Sequence, residues 1–491
     1  MPRSGSRNNP PKPDSLVHNF STQSSYPSSI ELYANKMRKE GMPDKIIDLF
    51  SSYFSDVAAF ETGYIPEVHI SPVEQSQLKH IEELDEYEEY GKSLINKAIA
   101  IKLNGGLGTS MGMQFAKSLL PVKDNKSFLD ITVQQALTLQ EEHGGGIPLA
   151  LMNSYNTHKD TLNELRHKDG ISQLPLCFVQ HKFPKIRQDT LMPAEYPENP
   201  EYEWNPPGHG DLFASLYLSG VLETLLRQGR RYALISNIDN LGATIDMRLL
   251  GYMAKEKIPF LMEVTRRTQS DCKGGHIARH NDGHLVLREL RQCHENDLND
   301  FQNIERHSLF NTNNIWVNLV ELKKYIQQNG IPKLPVIITP KTVNPHDSSS
   351  TPVFQIESAM GSAISHFPGA ETIVTTRDRF IPVKRTDDLL KVMSDYYLLQ
   401  PSGKLTLNAA NVTENLKVDL DPDYYSTFDN IYDKFRYGIP SLTSCSKLDV
   451  HGDIIFNPSV SLVGDVSIDN QTGNILMLPN DIKLKGNVEI N

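Results

Sequence analysis

The sequence predicts an α/β protein: a mostly parallel sheet covered by helices, with a helical segment before it and a small parallel β-helix after it. Three observations carry this. Short apolar runs alternate with helix-period segments from about residue 95 to 400, an amphipathic helical pattern precedes them, and a glycine-punctuated aliphatic repeat follows. At 491 residues the chain exceeds one ordinary core, since domains run to about 100–200 residues. Its 38% hydrophobic and 22% charged content is that of a globular protein.

Residues 1–29 are rich in Ser and Pro, lack the apolar core of a secretory signal and lack the amphipathic pattern of an organellar transit peptide, so a disordered tail is expected. Residues 30–94 read as a helical segment. Ile46, Phe50, Phe54 and Val57 recur at three- and four-residue steps with Ile47 beside them, which gives one apolar stripe; Pro66 and Pro72 interrupt the pattern. The acidic run Glu82, Glu83, Asp85, Glu86, Glu88 and Glu89 reads as a solvated helix face, not a metal site.

Between 95 and 400, strands are expected at 98–103, 148–152, 176–179, 232–236, 260–264, 336–339 and 372–375, and helices near 128–142, 211–228, 319–328, 357–367 and 387–399. Such alternation implies right-handed crossovers and ligands beyond the carboxyl ends of the strands. After Pro401 the unit aliphatic-x-Gly-Asp/Asn-aliphatic appears as Val450-His-Gly-Asp-Ile454, Leu462-Val-Gly-Asp-Val466 and Leu484-Lys-Gly-Asn-Val488. Residues 401–491 are therefore read as a linker and β-helix, with a small antiparallel β-domain as the alternative.

Composition excludes some functions. A net charge of -11 argues against a broad nucleic-acid footprint, and no apolar run approaches the ~18–20 residues that span a bilayer. Cys177, Cys272, Cys293 and Cys445 are widely spaced, as in a reducing, cytoplasmic chain. His280-Asn-Asp-Gly-His284 reads as a hairpin turn, not a zinc site, and Trp204 and Trp316 as packing residues.

The most informative stretch is Leu103-Asn-Gly-Gly-Leu-Gly-Thr-Ser-Met-Gly-Met-Gln-Phe-Ala-Lys-Ser118. Its glycines, following a strand, let backbone amides approach phosphate oxygens, and Lys117 adds a compact positive charge. A P-loop ending at Lys117 would need glycines where Met111 and Ala116 stand. A dinucleotide fingerprint would need one at Met111 or at Ser110. Both motifs fail.

This loop resembles the nucleotide-binding loop of sugar-phosphate nucleotidyltransferases, and its Lys-Leu-Asn-Gly-Gly-Leu-Gly-Thr-Ser-Met-Gly form is similar to that of eukaryotic-type UDP-glucose pyrophosphorylases. Further blocks resemble that family in its order: Leu151-Met-Asn-Ser, Pro206-Pro-Gly-His-Gly-Asp211, Ser236-Asn-Ile-Asp-Asn-Leu-Gly-Ala243, Met262-Glu-Val-Thr265, Lys273-Gly-Gly275, Phe310-Asn-Thr-Asn-Asn314, Gln355-x-Glu-Ser-Ala359 and Phe380-Ile-Pro-Val-Lys384. The resemblance implies a Rossmann-like nucleotidyltransferase domain at 95–400 and a left-handed parallel β-helix at the C-terminus. It implies UTP, glucose 1-phosphate and pyrophosphate as the small-molecule partners.

The implied reaction brings together two anions, so cations and a metal must suppress repulsion and neutralise the transition state. Asp239 ends the run Tyr232-Ala-Leu-Ile-Ser-Asn-Ile-Asp and suits Mg²⁺, which prefers one or two carboxylates with phosphate oxygens and water. A helix N-cap is its plain structural alternative. Lys117 and Lys384 are the candidate catalytic cations. The resemblance assigns UTP binding to Leu103, Asn104, Gly105, Gly106, Lys117, Gln180, Gly208, Asp239 and Lys384, with Gln180 and the Gly208 backbone at uracil. It assigns the sugar phosphate to His209, Asn237, Gly275, Glu289, Asn311 and Asn313. Alternation would place Asn311 and Asn313 on one face of an extended segment. The β-helix, outside these blocks, is expected to serve stability or assembly of a homo-oligomer. A broader UDP-sugar or UDP-N-acetylglucosamine pyrophosphorylase, and a non-catalytic UTP or UDP-sugar sensor, are the competing readings.

Overall fold

The alternating apolar runs become one large sheet in the computed structural model, which describes residues 26–59, 63–74, 76, 78–168 and 175–490. Its main path comprises β1 (Lys79–His80), β2 (Ala98–Asn104), β3 (Leu149–Asn153), β4 (Leu176–Val179), β5 (Tyr232–Asn237), β6 (Phe260–Arg266), β7 (Leu309–Asn318) and β8 (Glu371–Val374). The order is β1-β8-β6-β7-β5-β2-β3-β4. Neighbours run parallel except at β7, which is antiparallel to both β5 and β6. The sheet is mostly parallel, as expected. Ala98, Ile99 and Ile101 of β2 and Ala233, Leu234 and Ile235 of β5 are buried, which fits strands covered on both faces.

Several expected elements differ in detail. β7 was legible only as a short extended stretch near Asn311, because asparagines interrupt its apolar pattern. The helix expected at 211–228 is two helices, Leu212–Leu218 and Val221–Arg227, broken where Gly220 takes φ 77°. The segment at 357–367 finishes a strand at Ser358 and continues as 3₁₀ turns over Met360–His366. A Cβ on Gly361 would lie 2.6 Å from Leu287, so close packing, not helix propensity, sets this backbone. The helix expected at 387–399 ends at Met393, and Tyr397–Leu399 pairs antiparallel with Leu405–Leu407. Val336–Thr342 is extended but lies outside the main sheet.

After residue 400, β9 (Lys417–Leu420), β10 (Cys445–His451), β11 (Ser461–Asn470) and β12 (Lys483–Ile490) stack in parallel. The register aligns Leu420, Val450, Ile468 and Val488 in one ladder. Gly452, Gly464 and Gly486 all have positive φ, where a side chain would be strained. Parallel pairing excludes the antiparallel alternative for these strands.

The chain divides into two compact units, and the division differs from the expected boundaries. One comprises Thr62–Phe183, Asn205–Thr339 and Ile356–Asn491, and so contains both the large sheet and the C-terminal strands. A single apolar core joins Met111, Leu120, Ile131 and Leu390 to Leu448, Val466 and Leu484, which is why no division falls near residue 400. The other comprises Met1–Glu61, Pro184–Trp204 and Pro340–Gln355. Within it, helices Tyr26–Lys39 and Asp44–Ala58 pack Tyr33 against Phe50 and Phe54, and Tyr33 donates to the Leu191 carbonyl at 3.1 Å. The first helix takes in residues 26–29 of the expected tail; residues 1–25 lie outside the described residues. Beyond Ala58 the expected helical segment is mostly short turns, until the helix Glu88–Leu94. The acidic side chains at 82, 83, 85, 86 and 89 are exposed, as read from the sequence.

Candidate active site

Asn104, Asn153 and Asn237 end β2, β3 and β5, which places the glycine loop and its neighbours at the carboxyl edge of the sheet. Asn104 is buried and latches this edge: its amide donates to Asn153 Oδ1 at 2.8 Å and Thr161 Oγ1 at 2.9 Å. Leu103 belongs to the apolar core, so its side chain anchors the loop. Gly108 and Gly112 sit at φ 65° and 75°, and the Lys117 amide donates to the Gly106 carbonyl at 3.0 Å, closing the loop on itself. A Cβ on Gly105 would stand 2.8 Å from Gln180 Nε2; the loop and Gln180 are therefore in contact.

Lys117 Nζ meets Asp239 Oδ2 at 2.5 Å and also donates to the Val383 carbonyl. The pair is 13% and 16% exposed, so little solvent screens it. Asp239 Oδ1 is buried with no hydrogen-bond partner, an orphaned oxygen that fits a ligand to a cation. Two buried clamps bring Phe380-Ile-Pro-Val-Lys384 to this loop. Asn240 donates to the carbonyl of Arg379 at 3.1 Å and accepts from the Ile381 amide at 2.9 Å. Arg379 is held by Glu263, whose carboxylate also accepts from the Trp316 indole at 2.9 Å.

Lys384 is exposed, and its charge reaches His209 and Glu289. Burial, then Lys384, pushes the His209 imidazole down to about 4. The Met360 amide donates to His209 Nδ1 at 3.0 Å. That nitrogen must therefore be the acceptor and Nε2 must carry the proton, so His209 is a neutral hydrogen-bond donor. Burial raises the Glu289 carboxyl while Lys384 pulls it back. Gly275 packs on this carboxylate: a Cβ there would be 2.5 Å from Oε1. Gly208, at φ 76°, approaches Ser358 so closely that its Cβ would lie 2.5 Å from the Ser358 carbonyl.

The structure brings Asn311 and Asn313 together by a route other than alternation. Opposite Glu263 and Val264 the β6–β7 register jumps from Asn314 to Asn311, and Asn313 takes φ 60°. In this bulge the Asn313 amide N–H donates to Asn311 Oδ1 at 2.9 Å and its side chain donates to Asn237 Oδ1 at 3.1 Å. A bulge re-aims side chains that a regular strand would alternate.

Two features escaped the sequence reading. Lys102 is buried beneath the Asp239 loop and donates to Ser236 Oγ at 2.9 Å and the Ala243 carbonyl at 2.6 Å. Burial, opposed by Glu263 and Asp239, pushes its ammonium down to about 7. A charged residue in an otherwise apolar strand was its only signal. The second is Thr427, from the C-terminal segment, which would lie 3.0 Å from a Cβ on Gly112. The glycine loop therefore touches the stretch that joins β9 to the later C-terminal parallel strands. The hairpin reading of 280–284 holds, since His276–His280 pairs antiparallel with Leu285–Arg288; His280, Asp282 and His284 do converge there. Trp204 is buried and Trp316 packs in the core, as expected. Among the described residues, no helix is long and apolar enough to cross a membrane.

Comparison with known proteins gives a consistent picture. The family model described as UTP–glucose-1-phosphate uridylyltransferase matches residues 47–463. UTP–glucose-1-phosphate uridylyltransferase 2 of Dictyostelium discoideum is 37% identical over 405 residues, covering 82% of this chain and 78% of that protein. The Saccharomyces cerevisiae UTP–glucose-1-phosphate uridylyltransferase is 36% identical over 81% of this chain and 80% of its own length. A solved structure of the UDP-glucose pyrophosphorylase from Leishmania major, known in open and closed forms, matches with TM-score 0.87 and 39% identity, over 94% of this chain and 99% of that one.

Proposed function

The chain belongs to the UTP–glucose-1-phosphate uridylyltransferase family, and from that premise we propose how its residues carry the reaction: UTP and glucose 1-phosphate give UDP-glucose and pyrophosphate. A phosphate oxygen of glucose 1-phosphate attacks the α-phosphorus of UTP. The bond from that phosphorus to the bridging oxygen breaks, and pyrophosphate departs with the electron pair. No side-chain nucleophile and no general base are needed, because the attacking phosphate is already ionised near neutral pH. The residues have to align two anions and neutralise charge.

The single observation that carries the assignment of roles is the meeting of Lys117, Asp239 and the Val383–Lys384 segment at one sheet edge. Lys117 and Lys384 hold phosphate oxygens; Lys117 exchanges its contact with Asp239 for the nucleotide. Asp239, through its orphaned Oδ1, would hold Mg²⁺, and Mg²⁺ bound there would neutralise phosphate oxygens. Gln180 and the Gly208 backbone read uracil beside Gly105. His209 donates through Nε2–H to the sugar phosphate, and Asn237, Asn311, Asn313, Gly275 and Glu289 take the glucose hydroxyls.

The C-terminal parallel strands, with their left-handed glycine corners and stacked aliphatics, support reading residues 401–491 as a linker and coils of a left-handed β-helix. Among the described strands, β12 ends its sheet, and its outer edge can pair with a second copy of this chain, so homo-oligomerisation through that edge is proposed. Widely spaced cysteines, all free in the structure, support a cytoplasmic setting. Steady pyrophosphate release from UTP with a panel of sugar 1-phosphates tests the whole reading. Preference for glucose 1-phosphate supports it, equal use of N-acetylglucosamine 1-phosphate favours the broader enzyme, and binding without turnover would leave only a sensor.

A further inference from the structure

Asp211 ends the block Pro206-Pro-Gly-His-Gly-Asp211 and precedes the helix Leu212–Leu218. An aspartate there ordinarily spends its carboxylate on the first amides of its own helix. Asp211 does not, as it makes no side-chain cap. Instead both oxygens turn to His181: Oδ2 accepts the His181 backbone N–H at 2.7 Å, and the ring Nδ1 lies 2.9 Å from Oδ1 and 3.0 Å from Oδ2. The carboxylate side chain is 1% exposed. A buried carboxylate accepting a ring N–H and a backbone N–H forms charge-assisted bonds, roughly twice as strong as neutral ones.

The position of this clamp matters more than its strength. His181 directly follows Gln180, whose amide continues the β3–β4 ladder by donating to the Asn153 carbonyl at 2.8 Å. Asp211 belongs to the same tight turn as Gly208, donating its own N–H to the Gly208 carbonyl at 3.3 Å. That turn is fixed on its far side, where the Ser358 amide donates to the Pro207 carbonyl at 2.9 Å. Gln180 and Gly208 come from segments about thirty residues apart, on two different elements. Two links join the segments: the strand Phe183–Pro184 pairs with Trp204–Asn205 just beyond them, and Asp211 supplies the side-chain bonds that act on the residue next to Gln180 itself.

We infer that Asp211 is a positioning residue for base recognition: by tying the Gln180–His181 segment to the Gly208 turn, it sets the spacing between the two halves of the uracil site. The inference rests on the proposed role of Gln180 and Gly208 at uracil. Such spacing decides specificity. A site that pairs with both the N3–H and the O4 of uracil penalises cytosine, which inverts that donor and acceptor pattern, only if both partners stay in register. A loosened clamp should weaken uracil binding more than it slows chemistry, because both Asp211 oxygens are engaged by His181 and not by the reacting groups.

The test compares kcat and KM for UTP, and the ratio of kcat/KM for UTP over CTP, across variants of the full chain. Asp211→Ala removes both the backbone and the ring bond and should raise the KM for UTP by at least about tenfold. It should lower the UTP over CTP ratio by a similar factor and leave kcat at saturating UTP nearly unchanged. Asp211→Asn should restore most of the loss, since an amide can accept the backbone N–H and donate to a retautomerised Nδ1. His181→Ala keeps the backbone bond and should shift KM in the same direction by a smaller factor; it remains informative if Asp211→Ala does not fold. In a Gln180→Ala background, Asp211→Ala should add little, because its effect passes through Gln180. An unchanged UTP over CTP ratio in both Asp211→Ala and His181→Ala, alongside a reduced ratio in Gln180→Ala, would overturn the inference and leave the uracil site standing. An unchanged ratio in Gln180→Ala would overturn the uracil site and the inference together.

Discussion

Lys384→Ala and Asp239→Ala should both cost rate, but by different physics, and the difference is measurable. Lys384 is exposed, with its charge reaching His209 and Glu289, so its removal should alter folding stability by no more than about 0.5 kcal/mol. Its loss of rate then reports the transition state directly. One preorganised cation beside a developing phosphate charge contributes about 10²–10³ in kcat, or roughly 3–4 kcal/mol. Asp239 sits in a 2.5 Å pair with Lys117. Asp239→Ala frees that lysine, still held by the Val383 carbonyl, so positive charge facing the nucleotide is retained and the KM for UTP should rise little. What is lost is the carboxylate for the metal. The assay is pyrophosphate release at saturating UTP and glucose 1-phosphate, with Mg²⁺ titrated from limiting to saturating and Mn²⁺ in parallel. Asp239→Ala should regain part of its activity at high metal; Lys384→Ala should regain none. A folded Lys384→Ala enzyme with near-native kcat would remove that lysine from the mechanism. An Asp239→Ala defect indifferent to metal concentration would remove the metal role of Asp239.

Three further outcomes are expected. His209, at about 4 when folded against about 6.5 unfolded, binds its proton less readily in the native state, so its contribution to stability is present above about pH 6.5 and is lost as pH falls toward 4; His209→Gln should flatten denaturant-midpoint stability across that window. Gly112→Ala places a Cβ 3.0 Å from Thr427 at φ 75°, a strain of about 1–2 kcal/mol; kcat/KM for UTP should fall about tenfold, and an unaltered value would show that the loop relaxes freely. Truncation before Leu448 strips most of β10 together with β11 and β12 from a core that also holds Met111, Leu120 and Leu390; the melting temperature should fall sharply, and an unchanged melt would refute the continuity of that core.

The glycine loop and the place of Asp239 in the candidate site were legible in sequence because their patterns are local. Glycines at 105, 106, 108 and 112 after an apolar run announce a strand followed by a loop whose amides approach a ligand, and Asp239 at a strand end falls on the carboxyl edge by topology alone. The parallel sheet followed from the alternation of two periodicities, and the C-terminal glycines marked corners that require positive φ. Tertiary structure decided what no spacing contains. Asn313 reaches Asn237 through a two-residue bulge, because the β6–β7 register shifts opposite Val264; period-2 alternation cannot express such a shift. The Val383–Lys384 segment meets Asp239 only because Asn240 and the Glu263–Arg379 pair clamp a stretch some 140 residues away in sequence. Lys102 showed only as a charge in an apolar strand and Asp211 gave no signal at all, since a buried charge is defined by the atoms that close around it and not by its neighbours along the chain.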